Sequence, residues 1–435
     1  MIAEVLKICE AARAAGGRAL LVGGSVRDML LGIEHKDFDL EVYGIEPERL
    51  RRVLQEIAPV NTVGEHFAVY KLTFQISDPK SKISERFEVD VSVPRRESKS
   101  GRGHRGFVVT GDPAMTFEEA ARRRDFTVNA ILYDPLTDEY IDPFGGIADL
   151  KRRVLRAVAA DTFIEDSLRV LRAVQFAARF EMTIEAGTVE LCRTIDLSDL
   201  PHERIWGEVE KLLTRAERPS IGLEAARELG VLGKLFPALA ALSEDDFTRT
   251  KRSLDEAVKL AADLPKPRRI AVMLATLFQR LDNGQATAIL DTLGLYTIAG
   301  YDVRAVAIAL AREHLKPEQF YQERDRTTDG DFRRLAQQVE LDLLYRVAKA
   351  CMLGRGSSAI AADWFIARAR SLGVEHEAPA PILMGRHLLE AGFAPGPRMG
   401  EILKEVYEMQ LDDKVTSLEE ALVAARDLQN RKSGI

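Results

Sequence analysis

The chain divides into two parts by the spacing of its apolar residues. In the first part, up to Leu150, short runs of β-branched and aromatic residues alternate with helical stretches. These runs predict strands at residues 19–22, 38–43, 69–75, 87–93 and 130–133. After Leu150, apolar residues recur at helical spacing almost to the end, and strand patterns are lost. The pattern therefore predicts an α+β protein, with a mixed sheet and its helices followed by an all-helical remainder.

Proline and glycine interrupt the helical part at four places. These breaks are residues 218–220, 264–267, 354–358 and 378–381. A turn at residues 392–397 leads into another helical pattern. Proline is common at the first position of a helix, so we predict a helix that begins at Pro397. With 435 residues, the chain is long enough for about two to four domains.

The composition is that of an ordinary globular protein, and it bears on location more than on function. Cys9, Cys192 and Cys351 are far apart and predict buried thiols in a reducing compartment, not a disulfide or zinc framework. The longest apolar stretch, residues 270–278, is much shorter than the ~20 residues of a membrane span. The N-terminal segment is amphipathic and acidic, unlike a signal peptide. We therefore expect a cytoplasmic protein without a membrane partner.

The net charge of −7 is not typical of a nucleic-acid binder, but the basic residues are unevenly distributed. Between residues 94 and 107, five cations and the single acid Glu97 give a local charge of +4. The five cations of this basic segment are Arg95, Arg96, Lys99, Arg102 and Arg105. From charge alone, a solvated surface loop is the better interpretation.

A glycine-rich turn joins the first predicted strand to a predicted helix. The strand ends at Gly23 and Gly24, and Ser25 can cap the helix that follows. Glycines let a phosphate approach the backbone N–H groups at a helix start. Arg27, one turn into the helix, can bind triphosphate oxygens with its forked guanidinium. An ordinary strand-to-helix turn explains the same residues without a ligand.

Acidic residues alternate with apolar residues in two of the predicted strands. Strand periodicity places Asp37, Asp39 and Glu41 on one face. Glu88 and Asp90 repeat the alternation in a later strand. Neighbouring carboxylates repel each other unless a divalent cation neutralises them, and a third carboxylate completes an oxygen-rich site for two Mg²⁺ ions. Each alternation alone is also typical of the exposed face of a strand.

Three consecutive arginines, which include Arg123 and Arg124, follow a helix start with a capping-box pattern at residues 116–119. Consecutive residues cannot share one helix face, and a substrate rich in phosphate and ribose hydroxyls would use several of them. Asp125 follows directly in the chain. Asn129 can hold a sugar hydroxyl or satisfy a backbone group.

A predicted helix at residues 165–176 carries Asp166, Arg169 and Arg172 three residues apart, so that they share one stripe. Ion pairing within the helix explains this stripe without a ligand. A carboxylate also accepts a hydrogen bond from an exocyclic amino group, and a guanidinium donates to the ring acceptors beside it. Cytosine and adenine carry that amino group, whereas uracil and guanine present a carbonyl. An Asp–Arg edge therefore accepts C and A.

In this order, the four elements resemble the class II tRNA nucleotidyltransferases, the CCA-adding enzymes of the DNA polymerase β superfamily. The matching motifs are Gly-Gly-x-Val-Arg-Asp with Asp-x-Asp, Arg-Arg-Asp-Phe-Thr-x-Asn-Ala, and Glu-Asp-x-x-Arg-x-x-Arg. Together they span residues 21–180, and residues 142–146 and 203–213 match further stretches of that family.

The resemblance implies a nucleotidyltransferase head with the metal site, then a helical neck that recognises the base, a body, and a tail. These domains correspond to residues 1–149, 150–218, 219–350 and 351–435. The helical domains are implied to hold the acceptor and TΨC arms of tRNA. CTP and ATP are the implied substrates, with Mg²⁺ held by Asp37 and Asp39 and with Asp90 as the third catalytic carboxylate. No obligate protein partner is evident from the sequence.

The other motif residues are implied to bind the nucleotide. They are Gly23, Gly24, Ser25 and Arg27 at the triphosphate, Arg123, Arg124, Asp125 and Asn129 in the motif that faces the nucleotide, and Arg172 as a further contact. Asp166 and Arg169 match the pair that reads the incoming base without a nucleic-acid template. The basic segment lies where the family carries a flexible loop needed for addition of the final A. This position favours a functional role for the segment over that of a solvated surface loop.

Two departures from the family pattern bear on activity. Gln175 stands where many members have arginine, which leaves that contact open. Residues 269–280 contain no histidine, so the metal site of the related phosphohydrolase domain cannot form and no phosphohydrolase activity is expected.

Bacterial poly(A) polymerases usually carry a Gly-Arg-Arg-Phe stretch after the first carboxylates. Residues 64–67 of this chain read Gly-Glu-His-Phe instead, which argues against that class.

The predicted activity is in-line attack of an RNA 3′-hydroxyl on the α-phosphate of CTP or ATP, which adds CMP and AMP to tRNA and releases pyrophosphate. An enzyme that adds only the terminal A is an alternative, as is, less favourably, one that adds only the Cs. A poly(A) polymerase is a further alternative. The intact pair of Asp37 and Asp39 argues against a catalytically silent RNA-binding protein.

Overall fold

The computed structural model describes residues 3–34, 37–62, 69–77, 84–99 and 107–431. The chain forms two compact units. The first comprises Met1–Leu212 and Ile221–Leu235, and the second comprises Leu213–Ser220 and Phe236–Ile435. The finer division into head, neck, body and tail stays a prediction.

The strands all lie in the first unit, as far as the described residues extend. In chain order they are β1 (Arg18–Val22), β2 (Asp37–Tyr43), β3 (Val60–Thr62), β4 (Val69–Ser77), β5 (Ser84–Ser92), β6 (Arg95–Lys99), β7 (Phe107–Gly111), β8 (Leu132–Asp134), β9 (Glu139–Ile141), β10 (Val154–Leu155) and β11 (Thr183–Ile184). The main sheet has the order β3-β4-β5-β2-β1-β8-β9. Its neighbours are antiparallel except β2 and β5, which are parallel.

The predicted strands are confirmed with small shifts at their ends, and the region around residue 130 is confirmed in part. There, Thr127–Asn129 forms a 3₁₀ turn before β8 begins. The prediction that strands end before Leu150 is wrong, because β10 and β11 pair in parallel beyond it. Each has two residues, too few to show an alternating pattern.

The helices up to Leu235 lie in the first unit, except for residues 213–215 and 219–220 at two helix ends, which belong to the second. They are α1 (Ala3–Ala14), α2 (Gly24–Leu31), α3 (Pro47–Gln55), α4 (Phe117–Arg122), α5 (Gly146–Lys151), α6 (Ala160–Phe163), α7 (Leu168–Arg179), α8 (Ala186–Thr194), α9 (His202–Arg215), α10 (Pro219–Glu228) and α11 (Val231–Leu235). The predicted capping box of α4 is confirmed at Thr116 and Glu119, which bond each other's backbone N–H groups.

Different sets of residues pack on the two faces of the main sheet, as the side chains of β2 show. Phe38, Leu40 and Val42 are buried in a core formed with α1 and α3. Because side chains alternate along a strand, the residues between them face the other way. There, Tyr43 is buried in a second core with residues of α4. Asp39 lies on the same face as Tyr43 but is exposed, so the apolar cover ends before it.

Aromatic packing brings the segment after α4 onto α6 and α7. The ring of Phe126 meets Phe163 of α6 and Phe176 of α7 edge-on, at centroid separations of 5.6 and 5.8 Å. All three rings are buried. Edge-to-face pairs add to the stabilisation from burial. The arginine motif and the helix that follows Asp166 are therefore held against each other.

Among the described residues, the regular elements of the second unit are all helices, with one isolated β-bridge between Ile298 and Tyr301. Its helices are α12 (Pro237–Ala240), α13 (Glu244–Leu260), α14 (Lys266–Leu277), α15 (Asn283–Thr292), α16 (Val303–Glu313), α17 (Lys316–Gln322), α18 (Asp329–Ala336), α19 (Leu341–Gly354), α20 (Ile360–Ser371), α21 (Gly385–Glu390), α22 (Pro397–Leu411) and α23 (Leu418–Arg431). The four predicted breaks lie at or between helix ends, and α22 begins at Pro397 as predicted. Within the described residues, no helix combines the length and the apolar character needed to cross a membrane.

Candidate active site

Carboxylates from two neighbouring strands meet on the exposed part of the sheet. The parallel ladder of β2 and β5 places Asp39 opposite Asp90 and Asp37 opposite Glu88. Paired residues on adjacent strands point to the same face, so these four residues form one carboxylate group. The shared face predicted for Asp37 and Asp39 is confirmed. Like charges directly opposite each other destabilise a sheet, and the group therefore needs cations nearby.

A lysine from β4 partly neutralises the carboxylate group. Nζ of Lys71 lies 3.2 Å from Oε2 of Glu88 and 3.4 Å from Oδ1 of Asp90. This Asp90 oxygen is buried and has no hydrogen bond within the described part of the chain. Asp39 is open to solvent on one side. Even so, loss of hydration raises its pKa, and the charges of Asp90 and Asp37 add to that shift.

The carboxylate group fits a divalent cation. In the described residues, no set of three His, Cys, Asp or Glu side chains forms a ready metal site. Asp39 and Asp90 nevertheless combine charges in register, a raised pKa, and a buried oxygen that pairs with Lys71 but makes no hydrogen bond among the described residues. Mg²⁺ binds carboxylate oxygens, and a cation at this position would offset all three penalties.

The turn between β1 and α2 requires glycine at Gly23. Its φ of 70° and ψ of −134° are a conformation that residues with a side chain rarely adopt. A Cβ atom at Gly23 would also lie 3.0 Å from Nη1 of Arg124. The helix begins at Gly24, and the prediction that Ser25 caps it is wrong, because the Ser25 hydroxyl donates back to the carbonyl of Val22 at 2.8 Å. Backbone N–H groups of this helix start remain the basis of the phosphate prediction.

Arg27 is buried and bonded within the protein, and its predicted contact with a triphosphate stays a prediction. Its Nε and Nη2 atoms donate to Oδ1 of Asp28 at 2.8 and 2.7 Å. Its Nη1 atom donates to Oδ1 of Asn129 at 2.7 Å, and the guanidinium lies 4.2 Å from the ring centroid of Phe180. The geometry therefore gives Arg27 a structural role between α2 and the arginine motif.

Asp125 is the centre of the same buried network. Its Oδ2 accepts hydrogen bonds from Nε and Nη2 of Arg172 at 2.7 and 2.6 Å, and its Oδ1 accepts one from Nδ2 of Asn129 at 2.9 Å. Burial alone would raise the pKa of Asp125, but the charge of Arg172 and these hydrogen bonds lower it below its ordinary value. The structure brings Asp125, Asn129 and Arg172 together as partners of one another.

The predicted base-reading residues, Asp166 and Arg169, each have partners of their own. Nη1 and Nη2 of Arg204 lie 3.3 and 3.2 Å from the two carboxylate oxygens of Asp166. Arg169 donates from Nη1 to the carbonyl of Thr162 at 2.7 Å and from Nη2 to the carbonyl of Arg123 at 2.5 Å. Both side chains are thus held in place by the protein. Reasoning from the sequence missed Arg204, although it lies in the matching stretch at residues 203–213.

Arg123 and Arg124 both reach one buried acid. Nη2 of Arg123 lies 3.2 Å from Oε1 of Glu41, and Nη2 of Arg124 lies 3.7 Å from Oε2 of Glu41. The alternation of acidic residues in β2 includes Glu41, yet no motif indicated a role for it. A separate departure, Gln175, is 1% exposed in α7, and its Nε2 atom has no acceptor among the residues described.

The basic segment is described only at its base. Arg95 and Arg96 lie in β6, and Arg96 is paired with Asp112 at 2.7 Å. Arg102, Arg105 and the side chain of Lys99 lie outside the described residues. The proposed role of this segment in the final addition therefore stays a prediction.

Two family descriptions match the chain. Residues 19–156 match the "Poly A polymerase head domain". Residues 181–242 match the "Probable RNA and SrmB- binding site of polymerase A". The first match contains the carboxylate group, the glycine turn and the arginine motif.

Solved structures of CCA-adding enzymes have the same fold. The Bacillus stearothermophilus CCA-adding enzyme in complex with CTP superposes with a TM-score of 0.70 at 22% identity, covering 99% of this chain and 98% of that one. The Thermotoga maritima CCA-adding enzyme complexed with tRNA gives a TM-score of 0.66 at 20% identity, covering 98% and 96%.

Curated relatives are multifunctional CCA proteins. The protein of Stenotrophomonas maltophilia (strain K279a) is 42% identical over 229 residues, and this match spans 51% of the chain and about half, 52%, of the relative. The protein of Xanthomonas campestris pv. campestris (strain B100) is 31% identical over 423 residues, 88% of the chain and 95% of the relative. On the strength of this nearly full-length match, the chain belongs to the family of the multifunctional CCA proteins, the CCA-adding tRNA nucleotidyltransferases.

Proposed function

We propose that the protein adds CMP and AMP from CTP and ATP to the 3′ end of tRNA with release of pyrophosphate, and so builds or repairs the CCA terminus without a nucleic-acid template. The observation that carries this proposal is the pairing of Asp39 with Asp90 beside the Gly23 turn. Relatives named multifunctional CCA proteins and solved CCA-adding enzymes with CTP, ATP and tRNA support the same substrates. A cytoplasmic location is part of the proposal, as is binding of the acceptor and TΨC arms by the helical segments.

In the proposed reaction, Asp37, Asp39 and Asp90 would hold Mg²⁺. The bound cation would supply Lewis-acid stabilisation of charge on the 3′-hydroxyl and the phosphates. The chain itself would seat the triphosphate at the Gly23–Gly24 turn, where a side chain would obstruct the approach. Positive charge at this turn comes from Arg124, whose guanidinium lies beside Gly23. No protein nucleophile is needed for the transfer.

Base selection is proposed to rest on Asp166 and Arg169. A carboxylate offers about four acceptor positions, and Asp166 accepts from Arg204 with both oxygens and from the backbone N–H of Leu168 with Oδ1. The base amino group is proposed to donate to this carboxylate as well. The two carbonyl contacts of Arg169 use two of the five N–H donors of a guanidinium. A rigidly held Asp–Arg edge would accept the amino group of C or A and leave a carbonyl of U or G unpaired.

The test is extension of three tRNA substrates, ending at the discriminator base, at C and at CC, each with labelled CTP or ATP. CCA addition predicts C incorporation on the first two and a single A on the third. An A-adding enzyme would extend only the third, a CC-adding enzyme only the first two, and a poly(A) polymerase would add runs of A to unrelated RNA. Asp39→Ala serves as the inactive control and should still bind tRNA. No incorporation by the wild-type enzyme on any substrate would refute the proposal.

Poly(A) synthesis is kept as the second candidate because residues 19–156 match the poly(A) polymerase head. The segment that distinguishes the two classes in the sequence, residues 64–67, lies outside the described residues. The distribution of product lengths therefore decides between them.

A further inference from the structure

Glu41 is a buried carboxylate on the strand that carries the candidate metal ligands. It is 2% exposed and lies two residues from Asp39, on the same face of β2. Burying an ionised carboxylate costs free energy unless cations and hydrogen-bond donors surround it. The partners of Glu41 therefore show what holds it in place.

Three groups converge on Glu41. The hydroxyl of Tyr43 donates to Oε2 at 2.7 Å, and Nη2 of Arg123 donates to Oε1 at 3.2 Å. Nη2 of Arg124 lies 3.7 Å from Oε2. Consecutive arginines normally point in different directions, yet both of these turn to the same acid. Tyr43 is itself fixed by an edge-on contact with Phe117 at the start of α4, at 4.7 Å between ring centroids.

The opposite end of the Arg124 guanidinium faces the reaction site. Its Nη1 atom lies 3.0 Å from the position that a Cβ atom of Gly23 would occupy, and Oδ2 of Asp39 lies 4.0 Å from that position. The charge of Arg124 also acts on Asp39, where it opposes the rise in pKa. Arg124 thus stands between an acid that is buried and an acid that is proposed to bind metal.

We propose that Glu41, oriented by Tyr43, is a positioning residue that holds Arg124 against the Gly23 turn for contact with the triphosphate. This inference rests on the proposed function. Without the charge of Glu41, Arg124 would be drawn toward Asp39, which also lies beside the Gly23 turn, and would compete there with the divalent cation. Glu41 therefore serves both the seating of the nucleotide and the access of the cation to Asp39.

The test is a double-mutant cycle on CTP binding, measured by calorimetry in EDTA without tRNA. Glu41→Gln keeps the shape and an acceptor for Tyr43 but removes the charge, and it should weaken CTP binding about tenfold. In an Arg124→Ala background, the same change should weaken binding by less than about twofold, because the residue through which Glu41 acts is gone. Tyr43→Phe, which keeps the charge, should cost about threefold.

The matched control is Asp134→Asn. Asp134 is 4% exposed on β8 of the same sheet, and its Oδ2 accepts a hydrogen bond from Nε of Arg18 at 2.7 Å. This variant likewise removes the charge of a buried acid that pairs with an arginine, and it should keep wild-type CTP binding. An equal effect of Glu41→Gln with and without Arg124, or an equal loss in the control, would overturn the inference.

Steady-state kinetics separate this inference from the proposed function. On tRNA ending in CC, Glu41→Gln should raise the KM for ATP and the Mg²⁺ concentration for half-maximal rate, with a smaller effect on kcat. A wild-type enzyme that does not extend tRNA would refute the proposed function, while the CTP-binding cycle would still test Glu41. If Glu41→Gln does not fold, the cycle with Tyr43→Phe and Arg124→Ala decides the question.

Discussion

Replacing Asp39 by asparagine is expected to move activity and stability in opposite directions. The exchange keeps the shape of the side chain but removes a negative charge directly opposite Asp90. Like-charged cross-strand pairs cost about 0.5 kcal/mol, so without metal the variant should be more stable by about that amount. For a unit of this size, the gain corresponds to a rise in Tm of about 1–2 °C. Loss of a metal ligand should lower kcat about 10³-fold.

The pH dependence of this stability gain follows from the pKa of Asp39. Because the folded protein raises this pKa, the ionised form is penalised in the folded state. The penalty is absent below the ordinary value of 3.8, where Asp39 is protonated in both states, and is complete above the raised value. Asp39→Asn should therefore be more stable than wild type at neutral pH in EDTA, and this difference should vanish at strongly acid pH.

Thermal unfolding in EDTA and in Mg²⁺ with CTP, together with extension of tRNA ending in CC, provides the assay. Mg²⁺ with CTP should raise the Tm of the wild type, since ligands that bind the folded state stabilise it. The variant should show a smaller rise. Asp134→Asn is the matched control and should lose stability while it retains activity. An Asp39→Asn enzyme that remains active, or that is less stable than wild type in EDTA, would refute the assignment of the metal site.

Three further predictions concern the surroundings of the nucleotide. Arg204→Ala removes the guanidinium that holds Asp166. The ratio of kcat/KM for CTP to that for UTP should fall about tenfold, while thermal stability should be nearly unchanged. An unaltered ratio would contradict this prediction. Arg172→Ala leaves Asp125 buried without its cation and should lower the unfolding free energy by about 3 kcal/mol in urea titrations. Because the pKa of Asp125 is depressed, this pair contributes above the ordinary carboxyl value of 3.8 and is lost as the pH falls through the depressed value. The difference from wild type should thus shrink in acid, and a constant difference would count against the pair. Gly23→Ala should lose about 2 kcal/mol of stability and raise the KM for CTP, which chemical denaturation and kinetics can check; a variant like wild type would mean that the turn tolerates a side chain.

Alternation along the chain was sufficient to predict the strands that carry the site. The pattern in β2 placed Phe38, Leu40 and Val42 in the core and left the acidic residues on the other face. The fold class followed from the change of periodicity near Leu150. What alternation does not contain is the register between strands, and the pairing of Asp39 with Asp90 depends on that register.

Burial of the predicted nucleotide contacts could not be inferred from their motifs. Arg27 belongs to a short sequence motif. Its guanidinium nevertheless packs on the ring of Phe180 and donates to Asn129, and both of these residues are far away in the sequence. Among the partners of Asp166 is Arg204, 38 positions later. A local motif predicts which residues could bind a ligand. Tertiary packing determines which of them make hydrogen bonds within the protein instead.

The two carbonyl contacts of Arg169 have a consequence for fidelity. Arg169 donates to the carbonyl of Thr162 and to that of Arg123, the peptide that leads directly into Arg124. A base that displaces the guanidinium of Arg169 would also shift the peptide between Arg123 and Arg124, and with it the side chain of Arg124. Under the proposed base selection, a mismatched nucleotide would then be penalised in the rate of transfer as well as in its affinity, so that discrimination would continue after binding.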